Sequence, residues 1–512
     1  MSSGTIIFLI LVVGVTVMGF LASGWGKANL QQFDEWALGG RRFGTLVSWF
    51  LLGGDLYTAY TFIAVPALVY GAGALGFFAV PYATIAYPVV FVVLARFWTV
   101  AKKRGYITSA DFVRDRYGDR ALEVAIAITG VIAALPYIAL QLIGMKTVFS
   151  QIGGAFGAGG GFVALGVAFV VLAAYTYTSG LRAPAMIAFV KDALIYITVI
   201  AAIVVVPAAL GGWGHVFSSV QTALAARPAA PGAAPAGILL SPGMYFAYAT
   251  MAFGSCLSLF IYPHSITSLL AAKSKFVIQR NAALLPAYSL LLGFLALLGF
   301  CAIAAGIATK DPNAIVPLLF AKYFPDWFAG VANAAIVIGA LVPAAIMAIG
   351  AANLLASNVF EEFSAQRPPG ETRVAKLLTL AVCACALIFV VELPVQYAIT
   401  LQLLGGAWML QIFPAFALGL YTRWFHPSAL LLGWAAGMLT GSGMAYSTFL
   451  TSTPHKFGSV FPLQLGSLKL IGFIALYALI ANLAVAVLAT LAFGAAKASK
   501  GTDGTTAQDY AV

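Results

Sequence analysis

The chain has 512 residues, of which 62% are hydrophobic and only 8% charged. A water-soluble protein of that length needs far more charged surface, so composition excludes a soluble enzyme or binding domain. The formal net charge of +11 invites a nucleic-acid reading, which the placement of the charges excludes.

Apolar runs of about 20 residues recur along the chain and read as membrane-crossing helices. Thirteen spans are expected, at about 5–23, 46–73, 75–97, 122–151, 161–178, 184–210, 241–262, 281–308, 328–358, 375–394, 397–421, 428–448 and 467–494. The first run, "TIIFLILVVGVTVMGFLAS", has no basic stretch before it and is longer than a signal-peptide core, so it reads as a retained span. Of the 27 Lys and Arg, all but Lys146, Arg227, Lys310, Lys322, Lys456 and Lys469 fall on one side of this topology. The positive-inside rule then puts the N-terminus outside and the C-terminus inside. The basic excess is therefore topology, and no nucleic-acid partner is expected.

Between the spans, the longest pieces are the basic loop 98–121, the Ala/Pro-rich outer loop 211–240 and a polar cytoplasmic tail, 497–512. The outer loop's "ARPAAPGAAPAG" reads as flexible and the tail as disordered. Cys256, Cys301, Cys383 and Cys385 all fall in spans. None has companions at metal-ligand spacing, so they read as small core hydrophobes.

The second span, "SWFLLGGDLYTAYTFIAVP" (48–66), places Gly53-Gly54 and Asp55 together. Two glycines weaken a helix, and an aspartate at mid-membrane costs on the order of 2.5–3.5 kcal/mol on insertion scales. A cation, a proton or an internal hydrogen-bond network must compensate it. Tyr57, Thr58, Tyr60 and Thr61 add a dense hydroxyl surface. In the fourth span Tyr137 and Gln141 share a face at i, i+4, as an interhelical hydrogen bond or a solute contact. Lys191-Asp192 lies just inside the cytoplasmic end of the sixth span, as an internal ion pair, a snorkelling lysine or a coupling site. The seventh span carries Gly254-Ser255-Cys256 at a depth comparable to Gly53-Gly54. Two interrupted helices in matching positions of two five-helix halves suggest an inverted-repeat transporter. His264, after that span, reads as a helix-end feature. Gln402, Trp408 and Gln411 in the eleventh span line a path or pack. The sequence has no Walker A motif and no catalytic constellation, so neither an ATPase nor an enzyme is expected.

Several ordered stretches carry a resemblance: "DEWALGGRRFGTLVSWFLLGGDLYTAYTFIAVPALVYGAGALGFF", "YITSADFVRDRYGDRALE", "TSGLRAPAMIAFVKDALIY" and "LVPAAIMAIGAANLLASN". They resemble the sodium:solute symporter family over nearly the whole chain. "LPYIALQLIGM" and "LQLLGGAWMLQIFPAFALGLYT" are most similar to its bacterial monocarboxylate (lactate, pyruvate, acetate, alanine) permease branch. The resemblance implies an all-α polytopic membrane protein of the leucine-transporter type. Its inverted repeats are 46–210 and 241–421, with accessory helices at 5–23, 428–448 and 467–494, in a bacterial inner membrane. It implies import of lactate, pyruvate, acetate or propionate by alternating access, with no cofactor beyond a coupling ion and no obligatory protein partner. The alternatives are an amino-acid or other small-solute permease of the same family, or a non-transporting membrane sensor.

Carried onto this sequence, the family's sodium ligands are the carbonyls of Gly53, Leu56 and Ala345 and two hydroxyl positions that fall on Ala348 and Ile349. Neither of the last two has a hydroxyl, so the usual Na+ site is degenerate. Asp55 or Asp192 then becomes the expected cation-binding or coupling group, with H+ as the alternative ion. Tyr57, Tyr60, Thr61, Tyr137 and Gln141 are the expected solute contacts. Trp408 is the expected apolar wall.

Overall fold

The structure is a computed structural model that describes residues 1–511 apart from 26–28, 55–56, 153–159, 228–234, 361–370, 394 and 396. Helix α1 (Ser3–Leu21) precedes a first group of helices. In that group α2 (Thr45–Gly54) is described as far as the glycine pair, and Tyr57 and Thr58 are not helical. The helix resumes at Ala59, runs through a wide turn at Tyr60–Ala64 and continues as α3 (Val65–Ala72). A second wide turn, Val90–Leu94, joins α4 (Ala79–Val89) to α5 (Ala95–Arg104). Pro88, which has no N–H to give to the helix ladder, sits just ahead of that turn. Helix α6 (Ser109–Tyr117) starts at a reciprocal cap between Thr108 and Asp111. Then come α7 (Arg120–Ile152), α8 (Gly160–Ser179) and α9 (Arg182–Ala209).

The second group opens with α10 (Tyr245–Leu259) and α11 (Pro263–Leu270), which meet at a 48° bend. It continues with α12 (Lys275–Leu284), α13 (Pro286–Ala304), α14 (Asp326–Leu354), α15 (Glu371–Glu392) and α16 (Ile399–Met409). Two further helices, α17 (Pro427–Thr451) and α18 (Ile474–Ala495), pack on each other beside this body. The most apolar stretch of α14 is entirely buried, and the helix packs against α1, α7, α9 and α11. A helix apolar all round belongs inside a bundle, and α14 forms its centre.

Among the described residues nine helices are long and apolar enough to cross a membrane, or ten if α10 and α11 form one bent span. Thirteen spans were expected. The count of nine takes Tyr60–Arg104 as one 45-residue stretch, although the chain turns within it at Gly73, and leaves out the short Thr45–Gly54 and Val163–Ser179. The 25-residue α17 is not among the nine.

Three expectations are corrected, and one, the outer loop, gains detail. The second interruption is at Phe260–Tyr262, not at Gly254-Ser255-Cys256, which α10 traverses unbroken. The last span begins at Ile474, because Val460–Leu465 and Leu468–Phe473 form an antiparallel hairpin ahead of it. The outer loop contains a helix, Trp213–Ala225, while 228–234 of its Ala/Pro-rich stretch lie outside the described residues. Residues 501–511 of the tail are not loose but lie on the basic segment between α5 and α7. Asp503 pairs with Arg116 at 2.6 Å and Arg423 at 3.1 Å, and Asp509 pairs with Arg104 at 2.7 Å. Lys103 donates to the carbonyls of Gln508 and Ala511. Two aspartates in a polar tail find the most basic surface of the chain.

Candidate functional site

The glycine pair positions the site. At Gly53 a Cβ would lie 2.6 Å from the Tyr288 hydroxyl, and at Gly54 one would lie 3.0 Å from Lys191 Nζ. Both glycines thus make room for side chains arriving from α13 and α9, besides weakening the helix. The Gly53 carbonyl accepts from Tyr57 N–H at 3.1 Å. Lys191 Nζ donates to the carbonyls of Gly54 (2.9 Å), the last described residue of α2, and Tyr57 (3.1 Å), in the non-helical stretch. Asp55 and Leu56, both expected at a cation site, lie outside the described residues.

Asp192 extends the arrangement. Its Oδ1 pairs with Lys191 Nζ at 3.0 Å and its Oδ2 accepts from the Tyr288 hydroxyl at 2.8 Å. Both members of the ion pair are fully buried, so the lysine does not snorkel. The Tyr57 hydroxyl donates to the Tyr288 carbonyl at 2.7 Å, and the two rings lie 4.6 Å apart. Tyr57, Tyr60, Tyr82, Ala83, Tyr87, Tyr288, Ser289 and Leu292 line a small cavity next to the break. Ser289 donates to the Tyr87 hydroxyl at 3.2 Å, whereas the buried Tyr60 hydroxyl has no hydrogen-bond partner among the described residues.

The other expected residues have different positions. Gln141 Oε1 accepts from Ala59 N–H at 2.9 Å, so this amide caps the first free donor of the resumed half-helix. Thr58 Oγ1 accepts from Tyr60 N–H at 3.0 Å, and Thr61 Oγ1 accepts from Thr58 N–H at 3.4 Å. The positive end of that half-helix is therefore largely served from within the protein, and a solute carboxylate has little of it to bind. Tyr137 stacks edge-on against Tyr262 and His264 at the second bend, with ring centroids 5.4 and 5.5 Å away. Trp408 turns its indole N–H to Ser442 on α17 at 3.0 Å, away from the cavity. Ala345, Ala348 and Ile349 are fully buried in α14.

Sequence reasoning missed Tyr82, Tyr87, Tyr288 and Ser289. The available signal was tyrosine and serine inside otherwise aliphatic spans ("VPYATIAYPVV", "LPAYSLLL"). His264 stands, as expected, at the start of a helix, α11. Its ring is nonetheless fully buried and both nitrogens lack partners, as do both side-chain amide atoms of buried Gln402.

A profile of the sodium:solute symporter family matches residues 36–441. The chain belongs to the sodium:solute symporter family. This symporter is 51% identical over 443 residues to a protein of Rhizobium johnstonii named monocarboxylate transport permease protein, covering 86% of this chain and 88% of that one. An uncharacterized symporter of Bacillus subtilis, YodF, is 33% identical over 453 residues, 88% of each chain. The fold is that of a solved Na+-coupled sialic acid symporter, with TM-score 0.76 at 14% identity over 98% of both chains. The chain is thus a multi-pass membrane protein of a solute-transporting family.

That family implies a coupling sodium, and among the described residues the ligand set expected for one is incomplete. A sodium there needs carbonyl oxygens and supporting hydroxyls. The Gly54 and Tyr57 carbonyls receive the ammonium of Lys191, and the two hydroxyl positions are Ala348 and Ile349.

Proposed function

We propose that this symporter imports short monocarboxylates (lactate, pyruvate, acetate or propionate) across a bacterial inner membrane by alternating access, with H+ rather than Na+ as the coupling ion. The observation that carries this reading is the cavity beside the helix break. Its Tyr57, Tyr288 and Ser289 hydroxyls already donate within the protein, while the Tyr60 hydroxyl is unpartnered among the described residues, beside an apolar edge from Ala83 and Leu292. Hydroxyl donors suit a carboxylate, and a short apolar edge suits an alkyl stub of two or three carbons. The 51%-identical relative, named a monocarboxylate permease, supports the same cargo. An amino acid is less well served, because Asp192, the natural partner for its ammonium, already pairs with Lys191 and Tyr288. Co-transport of one proton makes uptake of a monocarboxylate anion electroneutral.

Proteoliposomes test the reading. Labelled lactate, pyruvate, acetate and propionate are offered under separately imposed H+ and Na+ gradients. Accumulation of at least one acid driven by an inward H+ gradient is expected. Accumulation of none of them sinks the cargo, and accumulation driven by Na+ alone sinks the coupling ion.

A further inference from the structure

Lys191 Nζ meets three oxygens: the carbonyls of Gly54 at 2.9 Å and Tyr57 at 3.1 Å, and Asp192 Oδ1 at 3.0 Å. An ammonium has three N–H donors and no acceptor, so these oxygens use all of them. Two come from the two edges of a helix interruption and one from a carboxylate, a hard-oxygen set of the kind a small metal cation takes. A Cβ at position 54 would lie 3.0 Å from the ammonium, so the glycine gives it room to approach. The side chain is fully buried, with no part of it reaching the surface.

We propose that Lys191 is a tethered cation in the role of a coupling sodium, so that the carbonyls of Gly54 and Tyr57 serve an ammonium rather than a metal cation. The proposal deepens the function given above and rests on it only for the uptake readout. Lys191 and Asp192 act as positioning residues. The ammonium holds the two edges of the break in register, and Asp192 passes that register to Tyr288, whose ring lines the cavity. A buried ion pair must satisfy its remaining N–H donors somewhere, and here both acceptors lie within four residues of the chain, at Gly54 and Tyr57.

The test measures thermal unfolding of the purified full chain in NaCl and in choline chloride at equal ionic strength, beside lactate uptake in the same two salts. For the unaltered protein, Tm is expected to be the same in both salts and uptake to agree within about twofold, since a ligand stabilises only the state that binds it. Lys191→Ala uncovers the three oxygens and is expected to show a saturable, Na+-dependent rise in Tm. Lys191→Met combined with Asp192→Asn removes the charge pair together and is expected to remain indifferent to Na+. A saturable Na+ stabilisation of the unaltered protein overturns the proposal, as does uptake that requires Na+. Lys191→Ala indifferent to Na+ overturns it too. Should Lys191→Ala fail to fold, the salt response of the unaltered protein decides the question. Absence of uptake for every acid beside a Na+-indifferent Tm supports the role of Lys191 and overturns the cargo instead.

Discussion

Lys191 Nζ lies 2.9 Å from the carbonyl oxygen of Gly54, on a different helix 137 residues earlier in sequence. A charged side chain from α9 thereby reaches the last described residue of α2, which has no side chain of its own. Gly54→Ala puts a Cβ 3.0 Å from that ammonium, and Gly53→Ala puts one 2.6 Å from the Tyr288 hydroxyl. Each is expected to lower uptake by roughly tenfold or more, since displacements of about 1 Å in a binding site carry effects of that order. Gly14→Ala, with nothing within 4 Å, is the control and leaves uptake unchanged.

Tyr60 carries the unpartnered hydroxyl of the cavity. If that hydroxyl meets the solute carboxylate, Tyr60→Phe raises KM by on the order of tenfold to a hundredfold, as expected for a hydrogen bond to a charged group. Expression and Tm stay as they were. Unchanged KM for every accepted acid removes Tyr60 from the solute site.

Gln141→Leu keeps the volume but leaves the N–H of Ala59 without its acceptor. A buried unsatisfied donor costs about 1–3 kcal/mol, so the variant unfolds at lower temperature. Uptake falls with the folded fraction, and KM does not change. A KM effect without a stability effect would assign Gln141 to the solute instead.

Trp408→Phe is expected to leave KM unchanged, because the indole contacts Ser442 rather than the cavity. A substrate-dependent change in KM would return Trp408 to the solute path.

The tail answers to pH and salt. Its hydrogen bond with the Arg104 side chain holds the Asp509 carboxyl down, to about 2. A depressed carboxyl contributes docking above its ordinary pKa and loses it as pH falls through the lowered value. Tail protection, read by limited proteolysis, is therefore flat from neutral pH down to about 4 and lost toward pH 2. Asp509→Asn weakens it at neutral pH. High salt does so as well, by screening the exposed parts of the network.

How far the sequence announced this arrangement differs from one residue to the next. Gly53-Gly54 was legible as a break because two adjacent glycines remove helix propensity at a single point of an otherwise apolar span. Gly254 was misleading for a physical reason. A Cβ there would lie 2.6 Å from the Phe473 ring, so this glycine serves close packing of α10 on the hairpin. Pro263, at the first position of α11, was the better marker of the second bend. The Lys191–Asp192 pair was visible as adjacent letters, but its partners lie 96 to 137 residues away in sequence. Only packing of α2, α9 and α13 brings them together. The tail was read from composition alone, which cannot anticipate two aspartates finding basic partners nearly 400 residues upstream.

A side chain in the place of a transported ion also changes the electrical account of the cycle. A sodium ion is left behind on the far side, and the membrane potential does work on it, about 2.3 kcal/mol per 100 mV for each charge delivered. The ammonium of Lys191 returns with the empty carrier, so over a full cycle the potential does no net work on it. Its charge orders the interior but drives nothing, so under the proposed coupling any accumulation of solute must come from the proton gradient.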